Sequence, residues 1–149
     1  MHARAAIRSV VVAKLNAVSG LAGHVSSSST HVFSSLPCAN VTTPRESREG
    51  PQKDQVQHRS LEIVVELFAK ASGNIDDALD NLAVLAEAAI SADSKLSGYV
   101  KDLRLESSEL ELITEEVGDG ELEVKAGKLT QTWAALYRVN TASPEAIAP

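Results

Sequence analysis

A chain of 149 residues has room for one domain, or for one domain and a tail, and its 44% hydrophobic content is enough for a core. Aromatic residues make up only 3%, too few to line the pocket that most enzymes with organic substrates use, so catalysis is not expected. One cysteine excludes an intrachain disulfide and a cysteine-rich metal cage, and no run of about 18 apolar residues offers a transmembrane helix.

The net charge of -6 is unevenly spread. Residues 1–45 carry Arg4, Arg8, Lys14 and Arg45 and no acid, while every acid lies from Glu46 onward. The acid-free stretch is also rich in serine, with Ser26, Ser27, Ser28 and Ser29 consecutive. This is the composition of an organelle presequence. Its positive charge would be drawn by a negative-inside potential worth roughly 2.3 kcal/mol per charge per 100 mV, and Ile7, Val11, Leu15 and Val18 would meet an import receptor. The face is imperfect, because Arg4 and Arg8 fall close to Val11 and Leu15 at helical spacing. Residues 1–45 are therefore expected to be a cleavable mitochondrial targeting segment, with a disordered tail on a cytoplasmic protein as the alternative. A secretory signal fits less well, since Lys14 cuts short the run Val10-Val11-Val12-Ala13. The sequon Asn40-Val41-Thr42 has meaning only in a secreted chain. Cys38, without an evident basic partner or helix N-terminus, is expected to be inert. Polar residues 46–57, with Pro44 before them and Pro51 among them, read as a linker.

Residues 58–140 read as an all-α domain. Ser60 can cap a short helix with Leu61, Val64, Val65 and Phe68 on one face, ended by Gly73-Asn74. A seven-residue repeat follows: Ile75, Leu82, Ala89, Leu96, Leu103, Leu110 and Val117. Its companion column, Leu79, Ala86, Asp93, Val100, Ser107 and Thr114, is half polar, which predicts a coiled-coil seam with one weakened side. Further apolar residues at Leu85, Ile90, Leu105, Leu112 and Ile113 widen the face to what a multi-helix assembly needs. Gly118-Asp119-Gly120 turns the chain, and Leu122, Ala126, Leu129, Trp133, Leu136 and Tyr137 form a returning helix. The expected fold is a short helix plus a long-helix/short-helix hairpin, with residues 141–149 frayed. One alternative stands beside it. Leu110-Glu111-Leu112 and Glu121-Leu122-Glu123-Val124-Lys125 alternate apolar and polar, so residues 109–125 could form a β-hairpin between helices, in the manner of prefoldin-type chaperones. The continuing heptad favours helix.

Motifs that carry chemistry are scarce. His2, His24, His31 and His58 lie in the N-terminal segment and at the end of the linker, with no His-x-x-x-His or Cys-x-x-Cys pair. Gly20-Leu21-Ala22-Gly23 matches no phosphate-binding loop. The acids Glu106, Glu109, Glu111, Glu115, Glu116, Asp119, Glu121 and Glu123 run without a base between Arg104 and Lys125. They read as a solvated face, at most a docking strip for a basic partner, since acid–base work needs buried carboxylates with separated pKa values. The acidic body would repel nucleic acid. The sequence therefore points to a non-catalytic assembly subunit without cofactor, metal or small-molecule substrate. Its expected partners are other helical chains in a homo- or hetero-oligomer, and the alternative is a cytoplasmic adaptor or tethering-complex subunit. The candidate protein interface is Leu85, Ile90, Leu96, Leu103, Leu105, Leu110, Ile113, Trp133 and Tyr137.

Overall fold

The computed structural model describes residues 2–28, 36–53, 55–70, 74–116, 118, 120 and 122–147; residues 51–53, 115–116, 122–125 and 144–147 are described by their backbone course alone. In chain order the elements are α1 (Ala3–Asn16), β1 (Val25–Ser26), β2 (Cys38–Lys53), β3 (Val56–Lys70), α2 (Ile75–Ser91), β4 (Asp102–Glu116), β5 (Leu122–Asn140) and β6 (Ser143–Ile147). The strands form a sheet in the order β1-β2-β3-β5-β4, with β6 added to β5 beyond the start of β4. All neighbours pair antiparallel except β1 on β2. Both helices lie on one face, and together they bury a single core. The result is a two-layer α+β fold.

The all-α, coiled-coil expectation is thereby corrected, and the reason can be read residue by residue. Leu61, Ile63, Val65 and Leu67 of β3 are buried in strict alternation, as are Leu129, Gln131, Trp133, Ala135, Tyr137 and Val139 of β5. A period of two decides these segments, and the intervening Glu62, Val64 and Glu66, or Thr130, Thr132 and Ala134, turn to the opposite face. Trp133 and Tyr137 share a face in either reading, because four is a multiple of two as well as close to a helical turn.

The heptad through Leu103 and Leu110 has a different origin. Seven residues is an odd separation, so a regular strand would put these leucines on opposite faces. A bulge between Leu105 and Ser107 inserts one residue, and Leu103 then pairs with Ala135 while Leu110 pairs with Leu129, both on the helix side. Only the first part of the repeat, in α2, is helical. The hairpin weighed for residues 109–125 is the arrangement found, with Thr114 opposite Val124 and Glu116 opposite Leu122. Residues 117, 119 and 121, including Asp119 and Glu121 of the acidic run, lie outside the described residues.

Three further expectations change. Among the described residues of the N-terminal segment, α1 puts Ala3, Ile7, Val11 and Leu15, spaced by four, into the core. Its alanines favour helix, and the His2 side chain accepts a hydrogen bond from the backbone N–H of Arg4 at 3.1 Å. The apolar stripe that resembled an import face is covered by the sheet. The charge boundary near residue 45 falls inside β2, and residues 46–53 and 55–57 run along the paired strands β2 and β3 instead of linking domains. Residues Ser143–Ile147, expected to fray, add to β5 as β6.

α2 follows sequence rules closely. Asn74 caps it by accepting from the N–H of Asp77 at 3.2 Å, and Asp76 and Asp77 complement the positive end of the helix dipole. Leu79, Leu82, Ala86 and Ile90 face the sheet. After α2 the chain turns through Leu96, Ser97 and Gly98, all at positive φ. The Asp93 carboxylate holds this turn by accepting from the N–H groups of Ser97 and Lys95.

Close packing of α2 depends on Gly127. A Cβ there would lie 2.6 Å from Cδ1 of Leu79 and 2.8 Å from Cγ1 of Ile75. Gly127→Val is therefore expected to destabilise the fold by about 1–3 kcal/mol, although valine suits a strand better than glycine. Chemical denaturation followed by the fluorescence of Trp133 measures this; an unchanged midpoint would show that α2 yields freely.

Candidate interaction edge

The sheet has two long borders. β4 forms one, pairing with β5 on its inner side; among the described residues nothing pairs with its outer side. β2 forms the other, since β1 covers only Ala39 and Asn40. An unpaired strand border presents a row of backbone donors and acceptors and is a template for pairing with another chain.

β4 has apolar side chains beside that row. Leu110 and Leu112 pair with Leu129 and Gly127, so they point to the side occupied by α2. α2 packs over β3 and β5 and leaves them uncovered, at 41% and 44% exposure. Leu103 and Leu105, nearer the start of β4, pack against the core. Also exposed are Val84 and Leu85 on α2, at 65% and 48%.

The residues expected at an interface therefore separate. Leu85 and Leu110 are on the surface. Leu103, Leu105 and Ile113 are half-buried, with Ile113 on the face away from the helices. Ile90, Leu96, Trp133 and Tyr137 are enclosed in the chain's own core. Leu112 and Val84 are exposed apolar residues outside that set, and the alternation Leu110-x-Leu112 is the signal for the first.

The opposite face of the sheet is polar and partly open. Arg45, Ser47, Ser60, Glu62, Glu106 and Thr132 line a depression of about 290 Å³, and Glu49, Asp102, Arg104 and Leu136 line a second of about 240 Å³. The short side chains of Ser60 and Ala134 are common to both. Lys128 lies 3.5 Å from Glu66 and 3.3 Å from Glu111, tying β3, β5 and β4 together. Burial alone would lower the Lys128 pKa, but its hydrogen bond to Glu111 and the charges of Glu111 and Glu66 outweigh that and raise it. Glu106, Glu109 and Glu111 of the acidic run are exposed, as a solvated face requires.

On the helix side one polar cluster is drawn into the protein. The Glu46 carboxylate accepts from the Tyr137 hydroxyl and from the Arg59 guanidinium at 2.9 Å, and Arg4 of α1 approaches it at 3.8 Å. Burial first, and then the bond to Glu46, push the Tyr137 phenol well above its ordinary pKa. The cluster joins α1 to three strands through the ion pairs and hydrogen bonds of one carboxylate.

Among the described residues no group of three or more His, Cys, Asp or Glu side chains could hold a metal ion. No helix among them is long and apolar enough to cross a membrane.

No protein-family model matches the chain, and no curated protein matches it. Among solved structures, it is similar to a chain in the virion of a native gene transfer agent particle. The identity is 14%, the match covers 87% of this chain and 92% of that one, and the TM-score is 0.45.

Proposed function

We propose that this chain is a non-catalytic structural subunit of a multiprotein assembly, joined to a neighbouring chain through the free border of β4. The observation that carries this reading is a 15-residue border strand with two uncovered leucines beside its unpaired backbone. Proteins that remain alone usually protect such a border with charge, proline, a bulge or a short strand. β4 carries charge and a bulge at Leu105–Ser107, yet its regular stretch from Leu110 to Leu112 keeps two leucines uncovered. A strand added here satisfies the open backbone row, and its side chains shield Leu110 and Leu112 from water.

Size-exclusion chromatography of the endogenous protein tests the proposal. Wild type is expected to elute well above the mass of a 15.8 kDa monomer. Leu110→Lys with Leu112→Lys is expected to move it to monomer size while the circular-dichroism spectrum stays that of the folded chain, since both side chains are exposed in the single chain. An endogenous protein that elutes as a monomer would overturn the reading.

A further inference from the structure

We infer that the occupant of the β4 border is the β2 border of a second copy, so that copies join head to tail; this rests on the role proposed above for β4. Two features of the sheet lead there. The first is charge. Residues 102–116 hold six acids, Asp102, Glu106, Glu109, Glu111, Glu115 and Glu116, against the single base Arg104. Pairing two β4 strands symmetrically would bring acid against acid, which opposes association. The opposite side of the molecule carries bases: Arg8 on α1, which donates to the Thr43 hydroxyl of β2, and Arg45 and Arg48 exposed on β2, while Arg4 and Lys14 are paired with Glu46 and Asp93. Of the two acids nearest them on β2, Glu46 is already neutralised by Arg59 and Arg4. One molecule thus bears an acidic border and, across the same sheet, a border beside basic side chains.

The second feature is direction. β2, β3, β5 and β4 alternate strictly, so β4 runs opposite to β2. Within one sheet Arg45 is level with Arg104, and Leu110 with Ala39. A second copy in the same orientation, displaced along the strands until its Arg45 reaches Leu110, therefore sets its β2 antiparallel to β4 and continues the sheet without reversal. α1 packs over β2 on the helix side, the side to which Leu110 and Leu112 point. The arriving copy therefore brings its own α1 toward the two uncovered leucines. Pro44 and the bulge between Thr42 and Arg45 interrupt β2, which leaves the strand from Arg45 onward as the part that can pair. The contact is heterologous: each copy keeps one free border of each kind, and association proceeds past the dimer to a ring or filament.

Sedimentation velocity of the full-length chain, at low and high salt, tests this with two variants. Variant one carries Leu110→Lys and Leu112→Lys on β4; variant two carries Arg45→Glu and Arg48→Glu on β2. Wild type is expected to form species larger than a dimer, weakened by salt. Each variant alone should associate at least about tenfold more weakly. An equimolar mixture should form a dimer that grows no further, because it retains one intact border of each kind. Hydrogen exchange on unmodified wild type gives a readout free of substitutions: concentrating the protein should protect residues 45–49 and β4 together. A variant two that dimerises by itself would overturn the inference in favour of symmetric β4 pairing. A monomeric wild-type chain would also overturn it. If the endogenous protein then still eluted in a large complex, the structural role would stand with a different protein on β4; if it too were monomeric, both would fall.

Discussion

Val11→Asp is expected to leave the protein unfolded at ambient temperature. Val11 is fully buried on α1 between Ile7 and Leu15, one helical turn from each. The substitution removes an apolar contribution of about 1.5–3 kcal/mol and puts a carboxylate among the apolar side chains of the core. A buried charge without a partner adds several kcal/mol more, against a total stability of about 5–15 kcal/mol for a domain. Ser9→Asp, two residues away on the exposed side of α1, is the control and is expected to change stability by about 0.5 kcal/mol or less. Circular dichroism and Trp133 fluorescence during thermal melts compare the two. If Val11→Asp melted as cooperatively and as high as wild type, α1 would be dispensable and the first sixteen residues would not belong to the fold. A milder check uses acid. Asp93 has its pKa lowered first by the N–H of Ser97, with Lys95 and Lys14 adding to it. A lowered folded-state pKa means its contribution is present above about pH 4 and is lost as pH falls through the lower folded value. Asp93→Asn should flatten the melting temperature across that acidic window.

The second large effect is expected at Glu46. Glu46→Ala leaves the Arg59 guanidinium without its carboxylate and the enclosed Tyr137 hydroxyl without its acceptor. Breaking a largely buried pair by removing one partner costs about 3–5 kcal/mol, and Arg4 loses its tether to the sheet. Tyr137→Phe is gentler, because it removes a donor and leaves the Glu46–Arg59 pair intact; about 1.5–3 kcal/mol is expected for a bond to a charged acceptor. The phenol also sets an alkaline limit. Its folded-state pKa is raised, so its contribution is complete below the unfolded value of about 10 and declines as pH rises above that value. Tyr137→Phe should therefore melt with less dependence on pH above about 10 than wild type. Equal alkaline profiles for the two proteins would show that the Glu46 bond is absent in solution.

How much of this was legible in the sequence depends on how far each residue's role is decided by its neighbours in the chain. The stripe Ile7, Val11, Leu15 was visible, but a stripe does not say what covers it, and the same pattern serves a receptor groove or a sheet. The start of α2 was legible from Ile75 onward, since its periodicity is local. β3 is ambiguous because Leu61, Val64, Val65 and Phe68 match a helical face, while Leu61, Ile63, Val65 and Leu67 match a strand, and only the pairing with β5 decides between them. The coiled-coil reading of β4 failed at the bulge, where one inserted residue made a strand imitate a heptad. The interface suffered differently. The heptad places Leu110 in a seam, whereas its exposure comes from the place of β4 in the strand order. No pattern within β4 distinguishes a border strand from a central one, because that is settled by where β5 and β3 pair. Trp133 and Tyr137 were named on the same grounds and went to the core, because β5 is the strand over which α2 packs.

That strand order also governs the order of events during synthesis. β5 lies between β3 and β4, yet it leaves the ribosome after both. Until it emerges, β3 and β4 have no contact with each other, α2 has no β5 to pack on, and β6, which lies beside α1, has not been made. The basic, amphipathic α1 is thus the first element made and among the last to be covered. Pairings of such long sequence separation close slowly, and unshielded strands invite aggregation in the interval. Nascent chains stalled before residue 122 should remain sensitive to protease along α1, and chains released with β5 complete should become resistant in one step.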